Sequence, residues 1–212
     1  GLSSSSPSNP TPETSVTGYS DYPVYKQTFQ KKEIRTIGQW KSLLLSTPDL
    51  RLVTDFLSAR QIEEVSENDF WEIVNSMLEV NNPRVQHFGV QLASSEKTPM
   101  AFTVLADHHD TLFTDSRNAA EEILLNFGRN MIVLEQVLLG ENKRATITAT
   151  QVITKSILNN STHNTVRAFD GRGGRGTMIR MPKSQYTRLT NILEVLSRDK
   201  EPALAISAQE AL

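Results

Sequence analysis

The chain contains no cysteine among its 212 residues. This absence excludes disulfides, thiolate nucleophiles, iron–sulfur clusters and cysteine-ligated zinc. Long apolar runs are missing as well: the stretch 131–139 is interrupted by Glu135 and Gln136 and falls short of the ~20 residues that cross a bilayer. The sequence therefore predicts no membrane span, and its 38% hydrophobic and 22% charged residues predict a domain that folds in water.

Signatures of catalysis are also absent from the sequence. It contains no Gly-x-Ser-x-Gly elbow, and no serine or threonine stands in a recognisable arrangement with a base and an orienting carboxylate. Neighbouring glutamates, as at 63–64 and 121–122, fall on predicted exposed helix faces, where charge serves solubility. The sequence therefore predicts a protein that is not an enzyme and that carries no cofactor.

The first 21 residues are rich in serine, threonine and proline, which account for thirteen of them. Ordering such a segment would cost backbone entropy without apolar burial to offset it. The composition predicts a flexible leader at residues 1–25 and one helical-repeat domain at residues 26–212. As a tether, the leader favours an exported or envelope-associated location, whereas an ordinary unstructured terminus and a cytoplasmic location are the alternatives.

Apolar residues recur at helical spacing in three segments after the leader. Between the first two segments, Pro48 suits the first turn of a helix, and Thr47 before it can cap the free N–H groups. Ser66 followed by Asp69 resembles a capping box at the start of the third segment. The predicted apolar faces consist of Ile34, Ile37, Trp40, Leu43 and Leu44; of Leu50, Val53, Phe56 and Leu57; and of Phe70, Trp71, Ile73, Val74, Met77 and Leu78.

A weak internal repeat begins near residue 82. Asn-Pro-Arg at 82–84, Asp-Ser-Arg at 115–117 and Asn-Lys-Arg at 142–144 each follow one predicted helix and open another. A further helix begins a similar distance after each arginine, at Pro99, Met131 and Asn159. The pattern predicts a repeated unit of two helices, in which Arg84, Arg117 and Arg144 either contact a partner or, as we favour, bond carbonyls and acids of the neighbouring unit.

Residues 67–169 resemble the HEAT-like family of α-solenoids, in which antiparallel helix pairs stack side by side and the second helix lines the concave face. The resemblance rests on Pro83, Arg84, Asp115, Arg117, Ala119, Ala120, Arg144 and Ala145. Unit length varies, and Thr146, Thr148 and Thr150 stand where alanine or leucine is usual. The resemblance implies an all-α fold that is a short α-solenoid, and a non-repetitive helical bundle is the alternative.

A segment rich in glycine and arginine, residues 170–176, interrupts the helical pattern. The flanking segments 166–169 and 177–181 carry apolar residues, so the sequence predicts a Gly-rich loop or a small hairpin here. A last helix over residues 183–198 is then expected to cap the stack, because one of its sides presents Tyr186, Leu189, Ile192, Leu193 and Leu196.

Charge is unevenly distributed along the chain, although the net charge is only −2. Residues 61–140 hold 13 acidic and 4 basic side chains, whereas residues 164–200 hold 8 basic and 3 acidic ones. Glycines let backbone N–H groups approach an anion, and arginines add charge-assisted hydrogen bonds. The candidate binding residues are therefore Arg167, Arg172, Arg175, Arg180 and Lys183.

The predicted stack and its charge distribution favour a protein-binding scaffold or adaptor within a larger assembly, with another protein as the partner. The alternative is a nucleic-acid-associated helical module that uses the basic Gly/Arg loop, since Arg-Gly-Gly segments bind RNA in other proteins. The loop is not a phosphate-binding P-loop, because no Lys-Ser or Lys-Thr follows its glycines.

The run Asp107-His108-His109-Asp110 contains residue types that ligate first-row metals. Adjacent residues of a helix point about 100° apart, so four consecutive side chains grip one ion only at a distorted helix end and with further ligands. The sequence therefore predicts no metal site. A metal-dependent hydrolase around His108 and His109 is the third hypothesis for function.

Overall fold

A computed structural model describes residues 35–157, 165–168 and 177–212, of which 165–168 and 177–179 are described by their backbone alone. Two short 3-10 turns, His109–Thr111 and Phe127–Arg129, join the longer elements. In chain order the elements are α1 Ile37–Ser46, α2 Leu50–Gln61, α3 Glu67–Glu79, α4 Pro83–Ser94, α5 Pro99–His108, α6 Thr114–Asn126, α7 Met131–Leu138, α8 Lys143–Ser156, β1 Thr165–Ala168, β2 Thr177–Arg180, α9 Lys183–Leu196 and α10 Pro202–Ala211.

The helices of the described residues stack as five pairs in two rows. Within each pair an odd-numbered helix packs against the even-numbered helix that follows it. Each odd-numbered helix also packs on the next odd-numbered one, and each even-numbered helix on the next even-numbered one. Neighbour-to-neighbour packing of this kind is the order found in helical-repeat stacks. The predicted all-α class is confirmed, and the three predicted helix pairs are α3–α4, α5–α6 and α7–α8.

Local capping signals start most of these helices where the sequence indicates. Asn82 caps α4 by accepting the Arg84 N–H at 3.0 Å, and Asn142 caps α8 by accepting the Ala145 N–H at 2.9 Å. Prolines occupy the first turns of α4, α5 and α10, where the missing N–H would have no helical partner in any case. The helix boundaries therefore have local causes.

Two caps differ from the prediction. Asp49, and not Thr47, caps α2, because the Asp49 carboxylate accepts the N–H of Leu52 at 2.7 Å. Ser66 accepts the Asp69 N–H at 3.1 Å as expected, but its hydroxyl also donates to the Asp69 carboxylate at 2.6 Å. That second bond joins two side chains, whereas a capping box would bring the Asp69 side chain to the Ser66 backbone.

The three repeat arginines make structural contacts, as we favoured from the sequence. Arg84 Nε donates to the Pro48 carbonyl at 3.0 Å and so connects α4 to the loop before α2. Arg144 forms an ion pair with Asp110 of the α5–α6 loop. Arg117 differs from both, because its guanidinium donates at 3.1 Å to two carbonyls of the loop that precedes its own helix. Two of the three arginines therefore connect one pair to the pair before it.

The segment that follows α8 contains the predicted hairpin and one helix more than expected. β1 and β2 are antiparallel, with Thr165 opposite Arg180 and Ala168 opposite Thr177. The expected helix at residue 183 is observed as α9, but it is the penultimate helix of the chain. α10 follows it and packs on α8, where the hydroxyls of Ser207 and Thr150 hydrogen-bond in a buried contact.

Some predictions concern residues that the structure does not describe. These are the flexible leader at residues 1–25, the helix start at Asn159 and the glycine-rich segment 170–176. The compact unit in the described part of the chain is Thr36–Leu212. Among the helices described there, none has the length and apolar character needed to span a membrane.

Candidate binding site

Of the five predicted binding residues, the structure describes the side chains of two. Arg180 ends β2 and Lys183 begins α9, and both are exposed. Arg167 lies on β1, where its backbone is paired with Met178 of β2. Arg172 and Arg175 lie outside the described residues. Whether the five act together is therefore still a prediction, and of the two described side chains that of Arg180 lines a cleft.

That cleft lies between the turn that ends at Arg129 and the segment that joins β2 to α9. Its volume is about 180 Å³, and Arg129 and Arg180 both line it. Apolar groups complete the lining, because Met131, Met181 and Pro182 also border the cleft. Two cationic side chains from distant parts of the sequence therefore meet beside an apolar wall.

A second cleft shares Arg129 and Asn130 with the first. It has a volume of about 350 Å³ and is lined by Lys97, Asn126, Phe127, Arg129 and Asn130. The Lys97 ammonium lies 5.9 Å from the centroid of the Phe127 ring, which is within the range of a cation–π contact. Because Arg129 and Asn130 line both clefts, the two form one surface, and we name Lys97, Arg129 and Arg180 the basic corner.

The basic corner is not neutralised by the residues that the structure describes. No carboxylate in that part of the chain forms an ion pair with Lys97, Arg129 or Arg180. Other basic residues are paired: Arg60 lies 3.4 Å from Glu96, and Lys143 lies 2.7 Å from Asp199. Within the described residues, the basic corner therefore carries positive charge that no carboxylate pairs with, on a chain whose middle is acidic.

The start of α7 adds to this positive potential. Asn130 caps the helix by accepting the Val133 N–H at 3.4 Å, which leaves the N–H groups of Met131 and Ile132 without an acceptor among the described residues. Both residues line the first cleft. A helix N-terminus carries a partial positive charge, so this wall of the cleft favours an anion in the same way as the arginines do.

Comparisons with known proteins do not supply a name for this arrangement. No protein family matches the chain, and no curated protein or solved structure matches it either.

The histidine–aspartate run at 107–110 does not form a metal centre in the described residues. Asp107 accepts Asn142 Nδ2 at 2.9 and 3.0 Å, His108 Nε2 lies 2.8 Å from Asn75 Oδ1, and Asp110 pairs with Arg144. The ring nitrogens of His109 contact Asp110 at 2.9 Å and Glu121 at 2.8 Å. Within the described ranges no group of three histidine or acidic side chains is placed to hold a metal ion. The four side chains instead connect neighbouring helices, because their partners outside the run lie on α3, on α6 and at the start of α8.

The surroundings of His108 disfavour protonation of its ring. Burial lowers the pKa of His108 below the usual 6.5, and Arg144 adds to the effect, while Glu79 and Asp107 oppose it. The Asn75 amide donates to the Trp71 carbonyl at 2.9 Å, so its oxygen faces the ring and accepts from Nε2–H. The neutral ring satisfies this bond, and a second proton would add charge to a half-buried site.

We expect acidification to destabilise the protein through His108. The pKa of His108 is about 6.5 in the unfolded chain and lower in the folded chain. The contribution of His108 to the free energy of unfolding is therefore complete above about pH 6.5 and decreases as the pH falls below it. Urea denaturation at about pH 7.5 and about pH 5.5 measures this loss. His108→Gln retains a donor for Asn75 but no titrating group, so the variant should lose less stability than the wild type.

The exposed His87 provides the matched control for that experiment. His87→Gln removes the same titrating group from a solvated position and should retain the loss that the wild type shows. Equal losses in the wild type and in His108→Gln would contradict the role assigned to the burial of His108.

Two members of the basic corner could not be selected from the sequence. Lys97 and Arg129 are isolated basic residues within the acidic stretch 61–140, the first in the α4–α5 connection and the second at the end of the 3-10 turn before α7. The fold places Arg129 with Arg180 in one cleft and with Lys97 in the other. The sequence offers one weak signal for these two residues, which is their position between two successive helices.

Proposed function

We propose that the protein is a non-enzymatic scaffold or adaptor of the HEAT-like helical-repeat type that binds another protein within a larger assembly. The row-by-row packing of five helix pairs supports this proposal, because stacked repeats offer extended faces to macromolecules instead of one enclosed pocket.

The observation that carries the proposal is the positive charge of the basic corner, with which no carboxylate of the described ranges pairs. An exposed cation without a counter-ion contributes little to stability, so its value lies in what it attracts from outside. Charge complementarity at an interface sets the association rate and the choice of partner more than the affinity. A scaffold with a cationic corner on an acidic body is thereby directed toward an acidic surface of its partner.

A nucleic-acid-associated module is the second candidate function. The excess of basic residues in 164–200, including Arg167, Arg180 and Lys183, favours it. Nucleic acids, however, need a basic stripe that follows several phosphates. The stretch 61–140, with its 13 acidic side chains, surrounds Lys97 and Arg129 in the sequence and supplies Glu96 next to Lys97. We therefore rank the protein partner first.

Affinity capture of the tagged full chain from its native source separates the two candidates. We expect a protein to be recovered in fixed proportion to the bait, with the same yield after nuclease treatment. Nucleic-acid binding would instead weaken by orders of magnitude between roughly 50 and 200 mM salt. Recovery that disappears with nuclease, or the absence of any protein in fixed proportion, would contradict the proposed function.

A further inference from the structure

We propose that the basic corner binds an extended acidic segment of a partner protein, in which a carboxylate side chain stands next to an aliphatic one. The proposal rests on the proposed function and specifies the ligand of that same surface. Two clefts that share Arg129 and Asn130 give two neighbouring side chains of one segment separate places to bind.

A carboxylate is the group that the first cleft is equipped to hold. Arg129 and Arg180 line it without carboxylate partners in the described part of the chain, and guanidinium groups match the planar carboxylate with paired N–H donors. Met131 and Ile132, whose N–H groups have no acceptor among the residues the structure describes, line the same cleft at the start of α7. Two features, the two arginines of the first cleft and the N–H groups of the first turn of α7, thus favour the same ligand group.

An aliphatic side chain next to the carboxylate of the ligand would cover the apolar part of the cleft lining. Met131, Met181 and Pro182 border the first cleft, and Phe127 borders the second. Ile132, on the rim of the first cleft, is 59% exposed, although it is a large apolar side chain. An aliphatic side chain removes such apolar surface from water, whereas the sugar-phosphate backbone of a nucleic acid presents mainly charged and polar groups to it. The lining therefore favours an acidic peptide over a polynucleotide.

Fluorescence anisotropy with synthetic peptides tests the proposal on the full chain. The probe is a fluorescein-labelled peptide in which Glu-Leu pairs are separated by Gly-Ser. Two matched peptides carry Gln in place of Glu or Ser in place of Leu, so that one loses the charge and the other the aliphatic group. We expect the Glu-Leu peptide to bind about tenfold or more tightly than either matched peptide.

A pair of protein variants locates the binding. Arg129→Glu with Arg180→Glu reverses two charges of the basic corner, and we expect the Glu-Leu peptide to bind about tenfold or more weakly. Arg198→Glu with Lys200→Glu changes the net charge equally at exposed residues of the α9–α10 connection and should leave binding unchanged. Circular dichroism and urea midpoints of both variants verify folding. A photoreactive group on the peptide should crosslink to residues 129–132 or 180–185.

Four outcomes would overturn the proposal. They are equal binding of the Glu-Leu and Gln-Leu peptides, equal binding of the Glu-Leu and Glu-Ser peptides, equal losses in the two protein variants, and tighter binding of a labelled single-stranded oligonucleotide than of the peptide. If the charge-reversed basic corner still captures the native partner in full yield, this inference fails while the scaffold function stands. If capture yields no protein partner, the scaffold function fails.

Discussion

Replacing Phe70 by alanine is expected to lower the free energy of unfolding by about 3–5 kcal/mol. The ring is completely buried and is stacked on Phe56 at 5.6 Å between centroids, while Trp71 meets it edge-on at 5.0 Å. The guanidinium of Arg60 lies over the same ring at 5.8 Å. Because Phe56 belongs to α2 and Phe70 to α3, the substitution opens a cavity where the first helix pair meets the second.

Urea denaturation followed by circular dichroism measures this loss, with Val195→Ala as the matched control. Val195 is 72% exposed, so its truncation should change the free energy of unfolding by no more than about 0.5 kcal/mol. The loss of stability in Phe70→Ala should appear as a lower urea midpoint, while the dependence of the free energy of unfolding on urea concentration should stay similar. A change at Phe70 as small as that at Val195 would mean that the first pair does not share a continuous core with the rest of the stack.

Most of the fold could be predicted because its signals are local. Asn82 and Asn142, each two residues before an arginine, mark the starts of α4 and α8, and Pro99 marks the start of α5. Apolar spacing then identifies which face is buried, as for Ile73 and Met77 of α3. The pairing of helices followed from these starts, because short connections force neighbouring helices to pack together.

The repeat is less regular than the three arginines suggest. In α4 and α8 the arginine stands two residues after the capping asparagine, whereas α6 begins at Thr114 and Asp115 is already inside it. Arg117 therefore stands further along its helix and turns back to the carbonyls of its own loop. The three motifs look equivalent in the sequence, but they stand at different positions relative to the start of their helices. The difference is seen only in the backbone structure.

α10 was missed because its buried face carries one large apolar residue, Leu204, beside small ones. It buries Leu204, Ser207 and Ala208, while Ile206 is 57% exposed, so no apolar period stands out. The helix is held by a buried hydroxyl pair between Ser207 and Thr150, which depends on tertiary packing. The threonines of α8, unusual for a HEAT-like helix, thus have a structural explanation at Thr150.

The candidate site could be predicted only in part for a similar reason. Arg180 and Lys183 were selected because they follow a conspicuous glycine and arginine segment. Lys97 and Arg129 have no such context, and their relation to Arg180 arises from the stacking of pairs. A surface formed by connections of successive repeats has no contiguous motif, so its members are recognised only when the fold is known.

Gly128→Ala is expected to lower the free energy of unfolding by about 1–3 kcal/mol through overpacking. A Cβ atom at this position would collide with the hydroxyl of Ser156 and would lie 3.1 Å from the Ser156 Cβ. The φ angle of Gly128 is outside the left-handed region, so the glycine is required for space and not for backbone conformation. The 3-10 turn that contains it approaches α8 too closely for any side chain.

Gly38→Ala provides the control, since the nearest atom to a Cβ there is Thr36 Oγ1 at 3.9 Å and the helical position favours alanine by about 0.5–1 kcal/mol. Urea denaturation of both variants should therefore give changes of opposite sign.

Ser156→Ala in the Gly128→Ala background identifies the clashing atom. The Ser156 hydroxyl is buried and has no hydrogen-bond partner among the described residues, so its removal alone should cost little. In the double variant the collision with oxygen is gone and only the tight contact between the two Cβ atoms remains. Most of the loss should then be recovered, which a double-mutant cycle records as a coupling between the two positions. Additive effects would show instead that Gly128→Ala acts through the turn itself and that α8 does not press on it as described.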